Sequence, residues 1–207
     1  MSEITLFTNP TSRGRTVRWM LEEIGTPYEA VMVEYGPKMK SAEYLAINPM
    51  GKVPALRHGD KIITECAAIC TYLAHTFPEA GLVPNDRSAF YRWMFFAAGP
   101  LEHASTNVRM GWIVSDEHKG HTGYGSFEDV LRVLNQRLAE APYFCGDTFS
   151  AVDVYIGSQI GFGIQFGTLP VNDTLLAYWD RIKDRPARLR ATQIDDALIP
   201  SNLAAPH

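Results

Sequence analysis

Asn48-Pro49-Met50-Gly51-Lys52-Val53-Pro54-Ala55-Leu56, followed by Ile63-Thr64-Glu65-Cys66-Ala67-Ala68-Ile69, organises everything on either side of it. Val53 to Leu56 and Lys61 to Ile63 read as two strands joined across His58-Gly59-Asp60, and a helix from about Cys66 to His75 follows them. Towards the N-terminus, Tyr28 to Val33 is a strand candidate and Ser41 to Ile47 a short helix. Val17, Met20, Leu21 and Ile24 fall at helical spacing, ended by Gly25 with Pro27 beyond, and Ile4-Thr5-Leu6-Phe7 is a first strand. The resulting order, βαβαββα in roughly eighty residues, suits a small mixed sheet with helices on its faces.

Towards the C-terminus the pattern changes. Phe77 to Asp86 holds two prolines and a glycine without helical period, which places a linker at residues 80–87 between a domain at 1–79 and another at 88–207. The second domain is expected to be an all-helical bundle. Its helical patterns are Phe90, Trp93, Met94, Ala97 and Leu101; Phe127, Val130, Leu131, Leu134 and Leu138; a segment after Ser150; and Leu175, Leu176, Trp179 and Ile182. Within it, Phe149-Ser150-Ala151-Val152-Asp153-Val154 has the form of a capping box, with Phe149 and Val154 as a hydrophobic staple. That feature reads as structural. Gly157, Gly161 and Gly163 leave two readings open, close helix packing or room for a substrate.

The chain has 207 residues, 46% hydrophobic and 20% charged, with a formal net charge of -4. This is the composition of a soluble globular protein, and no basic stretch supports a nucleic-acid or membrane partner. Val154 to Asn172 carries no charge, but its glycines, glutamines and Pro170 favour a buried helix and a loop over a membrane span. Three cysteines without a CxxC pair fit a reducing compartment. The N-terminal residues lack a signal-peptide pattern, so a cytoplasmic location is expected. His118 and His121 lack a third ligand at diagnostic spacing, so no metal is expected.

The 48–56 and 63–69 segments together resemble the glutathione-site signature of the cytosolic glutathione transferases. The resemblance implies a thioredoxin-like N-terminal domain and a C-terminal helical bundle that supplies the electrophile pocket, neither completing the site alone. It implies a cis bond before Pro54, with Val53 offering its backbone N–H and C=O to glutathione, itself a peptide. Glu65 is then expected to meet the ligand's ammonium group. Cys66, at a helix start where N–H groups and dipole favour an anion, is expected to hold the γ-glutamyl carboxylate. The family usually has serine there. A thiol donates more weakly than a hydroxyl, so the Cys66 backbone N–H carries more of that bond. Lys52 and Lys40 are candidates for the glycyl carboxylate.

The thiol of glutathione must be ionised to act, and an unperturbed thiol has a pKa of about 8.5. Some branches of the family use a first-strand tyrosine, but this strand carries Phe7. By similarity to the serine- and cysteine-type branches, the activator lies in Thr8-Asn9-Pro10-Thr11-Ser12-Arg13-Gly14-Arg15. Ser12 is preferred; an alignment slipped by one residue exchanges it for Thr11. Either hydroxyl also suits a helix cap. Arg13 is placed near the sulfur, although Arg13, Arg15 and Arg18 equally suit solvated charges. Tyr91, Trp93, Phe95, Phe96 and Trp112 read as core residues or as walls of an apolar cleft.

The implied activity is detoxifying transfer of glutathione, as co-substrate, to a small hydrophobic electrophile, by a homodimer. Two alternatives are a glutathione-dependent disulfide reductase or peroxidase, and a non-catalytic binding protein on the same scaffold.

Overall fold

The computed structural model describes residues 3–170 and 172–199. They form two compact units, one running to Ala80 and resuming at Arg185, the other spanning Gly81–Asp184.

The first unit is built on four strands: β1 (Ile4–Thr8), β2 (Glu29–Met32), β3 (Ala55–His58) and β4 (Lys61–Thr64). Their order is β2-β1-β3-β4, with β1 parallel to β2 and antiparallel to β3, and β3 antiparallel to β4. As a central strand β1 is covered on both sides, and Leu6 and Phe7, which alternate between its faces, are both buried. Phe7 packs with Val33, Met39, Tyr44 and Ala55. The strand that lacks a tyrosine therefore spends its aromatic ring on the core.

Three helices complete the expected order: α1 (Gly14–Ile24), α2 (Ala42–Leu45) and α3 (Cys66–Thr76). α1 buries Val17, Met20 and Leu21, and ends where the Gly25 N–H reaches the Leu21 carbonyl. α2 is shorter than its sequence pattern and follows a 3₁₀ turn at Lys38–Lys40.

The C-terminal helix α9 (Pro186–Ala197) groups with this unit, whereas the sequence-based division gave all of 88–207 to the helical domain. The reason is charge matching along an antiparallel pair of helices. Arg15 meets Asp196 at 2.6 Å, Arg18 meets Asp195 at 2.8 Å, Glu22 meets Arg190 at 3.1 Å and Glu23 meets Arg185 at 2.7 Å. Arg18 is thus a buried charge and not a solvated one.

The second unit is helical. α4 (Arg87–Phe96) continues through a π-helical turn at Ala97–Leu101, which contains Pro100, into α5 (Glu102–Met110). The Gln159 side chain donates at 3.2 Å to the Ala97 carbonyl, which the Glu102 N–H also reaches across the π turn. α6 (Phe127–Glu140), α7 (Ala151–Gln165) and α8 (Asp173–Ile182) complete it. α7 is buried along most of its length, and a Cβ on Gly161 would lie 2.4 Å from the Trp179 ring; at that position the glycine serves close packing. Trp93 is core, while Tyr91, Phe95 and Trp112 are exposed. Among the described residues no helix is long and apolar enough to cross a membrane.

Candidate active site

Strand register brings three chain ends together. Phe7 pairs with Ala55, and Ala55 pairs with Thr64. The turn after β1, the segment before β3 and the segment after β4 therefore lie side by side at one end of the sheet. They carry Thr11, Ser12 and Arg13; Val53 and Pro54; and Glu65 and Cys66. The Cys66 thiol lies 3.8 Å from the Arg13 carbonyl, so the start of α3 abuts the turn directly.

Asn9 builds the turn. Its Oδ1 accepts from the Thr11 N–H at 3.1 Å and the Thr11 hydroxyl at 2.8 Å, while its Nδ2 donates to the Val33 carbonyl at 3.2 Å. The Asn9 carbonyl accepts from the Ser12 hydroxyl at 2.7 Å, and the Ser12 oxygen in turn accepts from the Gly14 N–H at 2.9 Å. Ser12 is half-buried and Thr11 exposed. Both hydroxyl protons are engaged within the turn, and Ser12 also caps the start of α1. Gly14 is required by crowding: a Cβ there would lie 1.9 Å from Thr8 Oγ1. Arg13 is exposed, and Arg15 donates to the Pro10 carbonyl at 3.0 Å as well as to Asp196.

The second segment has the cis Val53–Pro54 bond that the motif implies. The Lys52 carbonyl just before it accepts from the Tyr44 hydroxyl at 2.7 Å and from Asn48 Nδ2 at 2.9 Å. Asn48 Oδ1 accepts from the Met50 N–H at 3.0 Å. Lys40 turns towards this segment and donates to the Met50 carbonyl at 2.8 Å; Lys52 is exposed.

The third segment is strained. Glu65 has φ 66° and ψ 119°, the sole positive φ outside glycine among the described residues. A non-glycine residue held there costs about 1–3 kcal/mol. It starts α3 without a side-chain cap, and no acceptor among the described residues takes the N–H groups of Cys66, Ala67 and Ala68. Open N–H groups at a helix start attract an anion. One turn on, Cys70 is fully buried, and its hydrogen bond to Cys66 together with burial raises its thiol well above the ordinary value. Cys70 is a packing residue.

Asn9, Gly14, Tyr44 and Asn48 were not singled out from sequence as site residues. Both asparagines precede proline, an Asn-Pro dipeptide that marks a turn, and that signal was available. Nothing local marks Tyr44. Among the described residues no group of three or more His, Cys, Asp or Glu side chains is placed to hold a metal.

Residues 2–75 match the family described as Glutathione S-transferase, N-terminal domain. The chain is 29% identical to glutathione S-transferase GstB of Escherichia coli over 199 residues, covering 90% of this chain and 95% of the relative. A glutathione transferase structure from Methylococcus capsulatus superposes with TM-score 0.76 at 28% identity, covering 95% and 100% of the two chains. A glutathione transferase homolog from Sulfitobacter, solved with bound glutathione, gives TM-score 0.74 at 26% identity, covering 96% and 100%. With the cis proline, the βαβαββα sheet unit and the helical unit all present, residues 2–75 carry the glutathione S-transferase N-terminal domain, and the chain as a whole is similar in sequence and fold to the glutathione transferases.

Proposed function

We propose that this protein is a glutathione transferase of the non-tyrosine kind, detoxifying small hydrophobic electrophiles in the cytoplasm as a homodimer. The observation that carries the reading is the convergence of three segments at one end of the sheet, each offering a different bond to an extended γ-glutamyl tripeptide. Val53 supplies strand-like main-chain bonds. The open N–H groups of α3 and the Cys66 thiol receive the γ-glutamyl carboxylate, and Glu65 receives the ammonium group. Lys52, with Lys40, serves the glycyl carboxylate.

Ser12 activates the sulfur. Its hydroxyl now donates to a neutral carbonyl at 2.7 Å, and turning that proton to a thiolate exchanges an ordinary hydrogen bond for a charge-assisted one, roughly twice as strong. The Gly14 N–H on the same oxygen polarises the hydroxyl and makes it a better donor. The start of α1 and Arg13 add positive field. The thiolate then attacks the electrophilic carbon, forming the C–S bond as the leaving group departs with the electron pair.

The test is conjugation of a chlorinated nitroaromatic by the wild-type protein, Ser12→Ala and Thr11→Ala. Loss of about 10²-fold or more in kcat/KM in the first variant alone assigns Ser12; loss in the second alone assigns Thr11. One observation favours a second reading, glutathione-dependent disulfide reduction: a thiol, Cys66, lies beside the turn. Reduction of hydroxyethyl disulfide without any conjugation would select it.

A further inference from the structure

We propose that Tyr44 and Asn48 are positioning residues for the main-chain bonds of glutathione, acting through the Lys52 carbonyl. The inference rests on the reading above, in which Val53 pairs with the backbone of the tripeptide.

The Lys52 C=O and the Val53 N–H belong to one planar trans peptide, so they point in opposite directions. Fixing the carbonyl fixes the N–H. Two donors hold that carbonyl, the Tyr44 hydroxyl at 2.7 Å and Asn48 Nδ2 at 2.9 Å, which together fill its two acceptor positions. Both donors lie on the side of α2 and the turn after it. The Val53 N–H is thereby aimed away from them, and no hydrogen bond among the described residues uses it.

The two donors are themselves fixed. Tyr44 is 5% exposed, with its ring 6.1 Å from that of Phe7 in the core cluster. Its backbone N–H is capped by the Ser41 hydroxyl at 3.3 Å. Asn48 is 3% exposed and holds its own turn through the Met50 N–H, while its carbonyl accepts from the Gly51 N–H at 2.8 Å. Burial pushes the Tyr44 phenol up to about 12, so it remains a donor throughout the working pH range. The short helix α2 thus has a function: it delivers one hydroxyl to one carbonyl. A peptide unit clamped this way meets an extended ligand without first being ordered, and preorganisation of this kind appears as affinity.

Tyr44→Phe removes the hydroxyl and keeps the ring in the core, which makes it the decisive variant; Asn48→Asp replaces a donor by an acceptor facing the carbonyl. Expected for Tyr44→Phe is a rise of about five- to twentyfold in the glutathione dissociation constant and KM. Its kcat at saturating glutathione should stay within about twofold of wild type, because the sulfur-activating turn is untouched. The Val53 amide resonance should shift on adding S-methylglutathione to the wild type, and shift less in the variant. A purely structural role would lower the melting temperature and leave KM alone. Wild-type binding with an unchanged KM in Tyr44→Phe, or a fall in kcat instead of a rise in KM, overturns the positioning role whatever Asn48→Asp does. Failure of the wild-type protein to bind glutathione overturns the transferase reading itself.

Discussion

α7 begins with its first donors already satisfied, and α3 begins with its own left open. At the start of α7, Asp153 is fully buried and accepts four hydrogen bonds: from the Ser150 N–H and hydroxyl, both at 2.9 Å, the Phe144 N–H at 3.0 Å and the Tyr178 hydroxyl at 3.1 Å. At the start of α3, Glu65 is exposed, sits at φ 66° and caps nothing. At α7 the Ala151 N–H already meets the Leu82 carbonyl and the Asp153 N–H meets Ser150, while the Asp153 carboxylate is saturated, so this helix start serves the core. One left open, at a cost in backbone strain, is available to a visiting carboxylate. The two sites should therefore answer mutation in opposite currencies, stability at α7 and binding at α3.

The largest effect is expected at the closed start. Asp153→Ala strands four donors in a dry interior and should cost about 3–5 kcal/mol of unfolding free energy, measured by denaturant titration at pH 7. Glutathione affinity of the molecules still folded should not change. A loss of affinity with intact stability would invert the comparison.

A pH scan probes the same carboxyl. Burial pushes Asp153 up from 3.8 to about 6, with its four donors pulling the other way. Since the folded state holds this proton more tightly than the unfolded chain, the stability contributed by its uptake is complete below about pH 4 and is lost as pH rises through 6. The expected loss is about 3 kcal/mol over that window. Subtracting the profile of Asp153→Asn from that of the wild type isolates it, and a difference that stays flat between pH 4 and 6 refutes the assignment.

These two helix starts also differ in how legible they were. The Ser150–Asp153 box is local, three residues apart, so side-chain chemistry and spacing were enough to identify it. The open start at Glu65 and Cys66 was legible only through the surrounding motif, because nothing in one glutamate announces a positive φ. Longer-range features had no sequence signal. Tyr44 reaches Lys52 only after α2 has been oriented against Phe7, and Arg15 and Arg18 look like solvated charges until α9 returns from the far end of the chain to pair with them. The shape of the turn was partly hidden for the same reason: Ser12 is half-buried and Thr11 exposed, and exposure belongs to the fold.

At the open start, Glu65→Gly should split stability from binding. Glycine adopts φ 66° without a Cβ penalty, so unfolding free energy should rise by about 1 kcal/mol. On the proposed role of Glu65, losing the carboxylate assigned to the ligand's ammonium group should weaken glutathione binding by about tenfold or more. A variant that is both more stable and a poorer binder is the signature of a residue strained for function. A variant that loses stability would mean the strain at Glu65 is only apparent.

The smallest effect is expected one residue on. Cys66→Ser replaces a thiol by a hydroxyl at the first position of α3, next to the open N–H groups proposed to receive the γ-glutamyl carboxylate. The thiol is a weak donor and lies 3.8 Å from the Arg13 carbonyl; a hydroxyl is smaller and donates more strongly to a carboxylate. Glutathione KM should therefore fall by about two- to fivefold, with kcat unchanged because the hydroxyls of Thr11 and Ser12, proposed to act on the sulfur, are not altered. Stability should change little, since Cys66 is only half-buried. If KM rises instead, the thiol has a role that a hydroxyl cannot fill, and disulfide reduction measured on the same variant would show whether that role is chemical.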